Sequence, residues 1–440
     1  MKQKEADVTR RPRWSWYFYD FGNSAYASVI LLAVYSAYFK NAVVGGAEGT
    51  RLWALSVGIA AVIVAIASPI LGTIADYTKA KKTFLILFTG LSVVFTALLF
   101  FVRKGDVFTG MLFFILAEIG YRAAQVFYDA LLTSVSTPEN IGTVSGKGWA
   151  IGMLGGIAAL LVVLVPIQLI GNSVIPYAYL ITAVFYLASS IPTFLWVKEV
   201  KDPEVTKPEK GNIRVAFERL AQTFRSIKSY KEFLKYTIAF LIYNDGIMML
   251  MDFAAIIGAT LFGMGQTQLI LFVIVIQIAG SVGALLFGKI ADKTSSKDAV
   301  TIALLVLIAA IGGLLVLGLV SKSLLWFYII GFLAGFSLSG AQAVSRSMVS
   351  QFAPPSKVTE FYGFLSVAGR TSTFVGPLVF GTISYRMNNW YLNHGQAAAL
   401  AEHNGLIWAI GSIILFLVVG LLLLLLVKRV TAKDPLHYES

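Results

Sequence analysis

The 440-residue sequence contains no cysteine, which excludes disulfides, thiolate metal sites and thiol catalysis. It has three histidines, His394, His403 and His437, expected in an outer loop, at the junction with the last span, and in the tail. Their positions argue against a histidine metal site or histidine catalysis within a membrane. Charge is scarce as well: 13% of residues are Asp, Glu, Lys or Arg, against about 25% in an average soluble domain. There is no G-x-x-x-x-G-K-[ST] loop and no polar segment large enough to hydrolyse a nucleotide. No nucleophile and base arrangement stands out either. Neither a cofactor nor an enzymatic activity is expected.

What is present is apolar side chain, at 57% of residues. About 20 apolar residues cross the hydrocarbon layer as one helix, and runs of that length occupy almost the whole chain. The spans are predicted at 15 to 39, 52 to 75, 83 to 102, 108 to 132, 146 to 170 and 175 to 197, then at 234 to 261, 267 to 291, 298 to 320, 325 to 350, 359 to 385 and 404 to 427. The expected class is an all-α membrane protein of twelve transmembrane helices. A formal net charge of +12 would suit nucleic acid if it formed one patch. Instead, with the N-terminus inside, 26 of the 35 Lys and Arg fall at cytoplasmic positions and six outside. The other three, Arg122, Arg346 and Arg370, lie within spans. The asymmetry predicts both termini in the cytoplasm and no nucleic-acid partner. Arg10, Arg11 and Arg13 lead into a full-length span without a small-residue cleavage site, so the first span is expected to stay in the protein.

The segment from Lys198 to Lys235 is the one long polar stretch, with Pro203 and Pro208 within it. It divides the chain into an N-terminal six-helix bundle (1–197), a cytoplasmic linker (198–233) and a C-terminal six-helix bundle (234–440). Within the linker Ile213, Phe217, Leu220, Phe224 and Ile227 recur at helical spacing against basic residues. That pattern suits an amphipathic helix on the inner membrane surface. The two halves are self-similar. Gly72-Thr-Ile-Ala-Asp76 returns as Gly288-Lys-Ile-Ala-Asp292 at an offset of 216, and at 217 Gln125, Pro138 and Gly146 answer Gln342, Pro355 and Gly363. Parallel halves of six spans are one known transporter repeat.

A glycine, an aspartate four residues later and a basic run after the second span resemble the signature of the major facilitator superfamily. Here the residues are Gly72, Asp76, Lys79, Lys81 and Lys82, with a second copy at Gly288, Asp292, Lys293 and Lys297. Lys79 stands where the signature has a further glycine. The resemblance implies a conformational latch: glycines 72 and 288 would allow close helix approach, and Asp76 and Asp292 would face a helix N-terminus or a basic group. The first span opens Trp16-Tyr-Phe-Tyr-Asp20-Phe-Gly-Asn23-Ser24-Ala-Tyr26. This segment is similar to that of the autophagy-related vacuole-effluxer branch and its bacterial relatives. Exported amino acids are the cargo that this resemblance implies.

Independently of any family, Glu118, Arg122, Gln125 and Asp129 are spaced four, three and four, on one stripe of the fourth span. Ionisable groups in a span cost several kcal/mol unless paired or hydrated, so the stripe implies an interior polar cavity. Glu118 and Arg122, one turn apart, can neutralise each other. The alternative is a structural ion pair holding helices together. Asp20, Asn23 and Ser24 form a small polar face on span one. Span seven carries Asp245 and Asp252 around Met248 and Met249, and span ten carries Gln342, Ser345 and Arg346. Arg370, in span eleven, either meets an anionic group of a substrate or pairs with a carboxylate such as Asp245. Glycines 152, 155 and 156 in span five and Gly376-Pro377 in span eleven are expected to serve close packing and bending.

The function expected is secondary active transport of a small organic solute by alternating access, driven by protons because buried carboxylates can load and release them. A lipid or lysolipid flippase is the second transporter reading. A passive channel or receptor is the reading from another class, and no filter-like segment or charge ring favours it. The expected setting is a multi-pass monomer in the cell's inner membrane, or in the vacuolar membrane of a eukaryote.

Overall fold

The computed structural model describes residues 2–78, 80–136, 141–199, 230–321, 323–352, 361, 364–365, 369 and 374–429. Among these residues there is no β-strand, and twelve long helices carry the chain. They are α1 (Lys2–Tyr26), α2 (Gly46–Thr78), α3 (Lys81–Leu98), α4 (Val107–Ala130), α5 (Ile141–Ile170) and α6 (Ile175–Trp196). There follow α7 (Lys231–Phe262), α8 (Gln266–Lys293), α9 (Ser296–Val320), α10 (Leu324–Phe352), α11 (Val375–Asn393) and α12 (Ala398–Leu425). A helix satisfies every backbone N–H and C=O internally, which is what lets such apolar segments sit in lipid. Among the described residues eleven stretches are long and apolar enough to cross a membrane. The expected span from 359 to 385 falls partly outside the described residues, and α11 begins within it. The amphipathic helix expected over 213–227 lies wholly outside them.

Local chemistry sets the helix ends. Gly263 ends α7 in the left-handed region at φ 65°, a conformation that costs glycine nothing. The Ser295 hydroxyl accepts the Asp298 N–H at 3.1 Å and caps α9. The first span departs from regular geometry: after α1 come π-helical stretches Ala27–Ala33 and Phe39–Val44 with a short α-turn between them. The Val34 N–H reaches back five residues to the Val29 carbonyl at 2.8 Å. Such wide turns inside helices concentrate at functional sites.

The chain forms two compact units. One lies within Met1–Val44 and Ile59–Glu218, the other within Gly45–Gly58 and Arg219–Ser440. The start of α2, residues 45–58, thus packs with the second unit rather than with the first half to which sequence order assigns it. Within the first unit α1 packs on α5 and α6, and α3 packs on α4 and α6. Within the second, α7 packs on α11 and α12, and α9 on α10 and α12. Advancing every helix of the first set by six gives the second set, so the sequence repeat is a repeat of packing. This is the major facilitator fold of twelve helices in two six-helix bundles.

Glycines let key pairs approach. A Cβ on Gly155 of α5 would sit 2.0 Å from the Phe21 carbonyl oxygen of α1, and one on Gly152 would lie 2.8 Å from an Asp20 carboxylate oxygen. The expected close packing of span five is therefore made against α1. In the second unit a Cβ on Gly283 of α8 would fall 1.9 Å from the Phe336 carbonyl oxygen of α10.

Candidate functional site

In the first unit the candidate face of α1 is a stripe at helical spacing: Trp16, Tyr19, Asp20, Asn23 and Tyr26. Trp16 donates its indole N–H to the Tyr128 carbonyl at 3.0 Å and stacks on the Tyr128 ring at 4.4 Å. Tyr19 stacks on the same Tyr128 ring at 4.9 Å. Its hydroxyl joins Thr89 at 2.7 Å and the Tyr186 hydroxyl at 2.8 Å, tying α1 to α3 and α6. One turn above Asn23, Tyr26 stacks on Tyr121 at 4.6 Å. The aromatic residues around Asp20 and Asn23 thus fix α1 against α4 with little rotamer freedom left.

On α4 the expected pair forms. Glu118 is fully buried, 0% exposed, and its Oε1 accepts from the Arg122 guanidinium one turn on. Arg122 keeps 18% of its side chain exposed, so the pair has one sealed and one accessible end. A buried carboxylate is tolerable only when its charge is met, and the adjacent arginine meets it. The Tyr26 hydroxyl lies within electrostatic reach of both Glu118 and Arg122. Glu118 Oε2, the Tyr26 hydroxyl and Asn23 Nδ2 have no hydrogen-bond partner among the described residues. The Glu118 oxygen can take up a proton or accept a donor, the tyrosine hydroxyl can donate or accept, and the asparagine nitrogen can donate to a polar group. Gln125 donates to the Tyr121 hydroxyl at 2.9 Å. Asp129 shares the angular stripe but sits exposed in the last turn of α4.

In the second unit Asp245 and Asp252 of α7 are buried, at 3% and 5% exposure. Asn244 beside them is buried too. Met249 packs on the open face of Gly376 in α11, whose Cβ position would lie 2.7 Å from Met249 Cγ. That methionine is core packing. The Tyr243 hydroxyl bonds the Ser345 hydroxyl at 2.6 Å, and the Tyr236 hydroxyl donates to the Ser345 carbonyl at 2.5 Å, joining α7 to α10. Gln342 is half-buried one turn away on α10. Arg346 lies on the helical backbone of α10, with its side chain outside the description, and Arg370 is outside the described residues. Of the latch, Gly72 and Asp76 lie on α2 and Asp292 on α8. Gly288 has nothing within 4 Å of its Cβ position, so no close approach surrounds it among the described residues.

The family model described as "Vacuole effluxer Atg22 like" matches residues 50–142 and 133–433. The chain belongs to this family. Over 438 residues, 97% of each chain, it is 28% identical to an uncharacterized MFS-type transporter, YxiO, of Bacillus subtilis (strain 168). It is 23% identical to autophagy-related protein 22 of Yarrowia lipolytica over 62% of this chain and 50% of that one. Among solved structures, a bacterial homolog to the human lysosomal transporter Spinster superposes with a TM-score of 0.67 at 13% identity, covering all of both chains. The nucleoside transporter NupG superposes with a TM-score of 0.62 at 12% identity, covering 94% of this chain and 98% of that one. At that identity the likeness is one of fold alone. This member of the vacuole-effluxer family is thus a multi-pass membrane protein of the major facilitator type.

The site of this family member also contains residues that charge counting passed over. Tyr26 lies three residues after Asn23, and Tyr121 three after Glu118, so helical spacing alone would have added both to the stripes. Lys40 is buried at 4% exposure in the second π-helical stretch. Its position just after the predicted span 15 to 39 and before Gly45-Gly46 reads as loop, so it counts among the six basic residues expected outside.

Proposed function

We propose that this protein is a proton-linked secondary transporter that exports a small organic solute, with the Glu118–Arg122 pair as its coupling element. The observation that carries the reading is a carboxylate with no exposure, ion-paired to an arginine that retains some. Protonating Glu118 removes the charge that holds Arg122. The released guanidinium then attracts substrate or another acid, and loading is tied to conformation. Asp20, packed against Gly152 of α5, is the second acid of the unit. Asp245 and Asp252 would serve the second unit as its polar wall, with Gln342, Arg346 and Arg370. The family's description as effluxers supports export, and amino acids are the first cargo class to screen. The distribution of Lys and Arg supports cytoplasmic termini in an inner membrane, and a monomer is the working unit.

The test is solute counterflow and pH-driven uptake in proteoliposomes, screened over amino acids, peptides, cationic drugs and lysolipids. Glu118→Gln and Asp20→Asn are expected to abolish pH-driven accumulation while retaining exchange, and Arg122→Ala to lose both. If both acid variants accumulate solute like the parent protein, the pair is structural only. Saturable transport of lysolipid alone would overturn the solute reading in favour of a flippase.

A further inference from the structure

The start of α2 belongs to the second unit and packs on α11. A Cβ on Gly381 would lie 2.3 Å from the Ala54 Cβ, and one on Gly58 2.9 Å from Leu378. Beside this contact the two helices line a half-open cavity of about 280 Å³. From α2 it takes Arg51, Ala54 and Leu55; from α11 it takes Leu378, Thr382, Tyr385 and Arg386. Each set lies on one helical face, and the lining is graded. Leu378 and Thr382 lie two turns and one turn inward of Arg386, and Leu55 one turn inward of Arg51. The cations hold one end of the cavity and the apolar side chains the other.

The charges differ in status. Arg51 is held by both Glu48 oxygens, at 2.8 and 2.5 Å, with its guanidinium 4.7 Å over the Tyr385 ring. Its charge is met. Arg386 is exposed and has no hydrogen-bond or ion-pair partner among the described residues, which leaves the mouth with one net positive charge. Its depth follows from the aromatic residues beyond it. Trp390, one turn farther out, is 50% exposed, and the Trp408 indole donates to the Tyr391 hydroxyl at 3.1 Å. Exposed tryptophan and tyrosine at helix ends mark the level of the lipid headgroups. The cavity therefore opens just inward of the headgroup level, cation end outermost and apolar end towards the hydrocarbon.

We propose that this cavity binds an anionic phospholipid, with its phosphate on Arg386 and the start of an acyl chain along Leu378 and Leu55. A soluble anion would gain nothing from the apolar end, and a zwitterionic lipid would gain less from the unmet charge. The site does not depend on the coupling role given to Glu118.

The experiment uses the full-length protein in non-ionic detergent, titrated with phosphatidylglycerol or phosphatidylcholine and read by native mass spectrometry. The parent protein is expected to retain phosphatidylglycerol about fivefold better, the ratio that ~1 kcal/mol per basic residue near an anionic surface gives. Arg386→Gln should abolish that preference, and Arg386→Lys should keep it. Arg103→Gln, which removes an exposed arginine in the α3–α4 turn, should leave it unchanged. The proposal is overturned if Arg386→Gln keeps the preference, or if Arg103→Gln weakens it equally, which would mean bulk charge. It is overturned as well if inorganic phosphate at the same concentration displaces the lipid, since that marks a small-anion site.

Discussion

Replacing Trp16 by phenylalanine would keep a ring to stack on Tyr128 while removing the donor to the Tyr128 carbonyl. A buried carbonyl left without its donor costs about 1–3 kcal/mol, and Trp16→Ala, which also empties the stacking site, costs about 3–5 kcal/mol. Thermal unfolding of the purified protein should therefore rank parent, Trp16→Phe and Trp16→Ala in that order. Equal melting of the parent and Trp16→Phe would mean that the hydrogen bond contributes nothing, and equal melting of the two variants that the retained ring does not. At this scale the sequence reveals angle but not depth. Glu118 and Arg122 were legible as a pair because four residues bring side chains to one face. Asp129 has the same angular position yet is exposed, because α4 ends at Ala130 and the stripe runs out of the packed region. The tyrosines around the pair stayed hidden because aromatic residues on apolar faces look like ordinary core.

Helix pairs show the next layer of cause, since several of their close approaches run through glycine. Adding one methyl at Gly155 or Gly283 would drive it into a backbone oxygen, at 2.0 and 1.9 Å. Backbone cannot swing aside as a side chain can, so Gly155→Ala and Gly283→Ala should each cost about 1–3 kcal/mol through overpacking. Gly312, with nothing within 4 Å of its Cβ position, is the control. There alanine should be neutral or stabilise by about 0.5–1 kcal/mol, the helix-interior penalty of glycine. Melting temperatures of the three variants test this, and a Gly312→Ala loss as large as the others would refute the steric account. The helices were legible from hydropathy because lipid forces the backbone to satisfy itself. The attachment of residues 45–58 to the second unit was not, since chain order does not record which neighbour a long helix leans on. The motif glycine Gly288 was likewise read as a contact point, and its surroundings among the described residues are open.

Across the whole molecule the two halves repeat a device that the sequence comparison did not disclose. Lys82, second residue of α3, donates its ammonium to the Val197 carbonyl just past the end of α6, at 3.0 Å. Lys297, second residue of α9, does the same to Leu425 at 2.8 Å and Val427 at 2.5 Å, where α12 ends. In both units a lysine at the start of the third helix caps the orphan carbonyls of the sixth, where the helix dipole favours a cation. The repeat itself was visible in the paired Gly-x-Ile-Ala-Asp segments. The caps were not, because Lys82 and Lys297 read as members of the basic run that follows each segment, and their acceptors lie more than a hundred residues away. Lys82→Ala and Lys297→Ala should each cost about 0.5–1.5 kcal/mol, the net worth of one such hydrogen bond. The two lysines share no acceptor, so the double variant should lose the sum of the single losses to within about 0.5 kcal/mol. Unfolding in graded denaturing detergent, followed by tryptophan fluorescence, measures all three. A double-variant loss well above the sum would mean that the caps support each other across the halves, and that the two units do not hold their sixth helices independently.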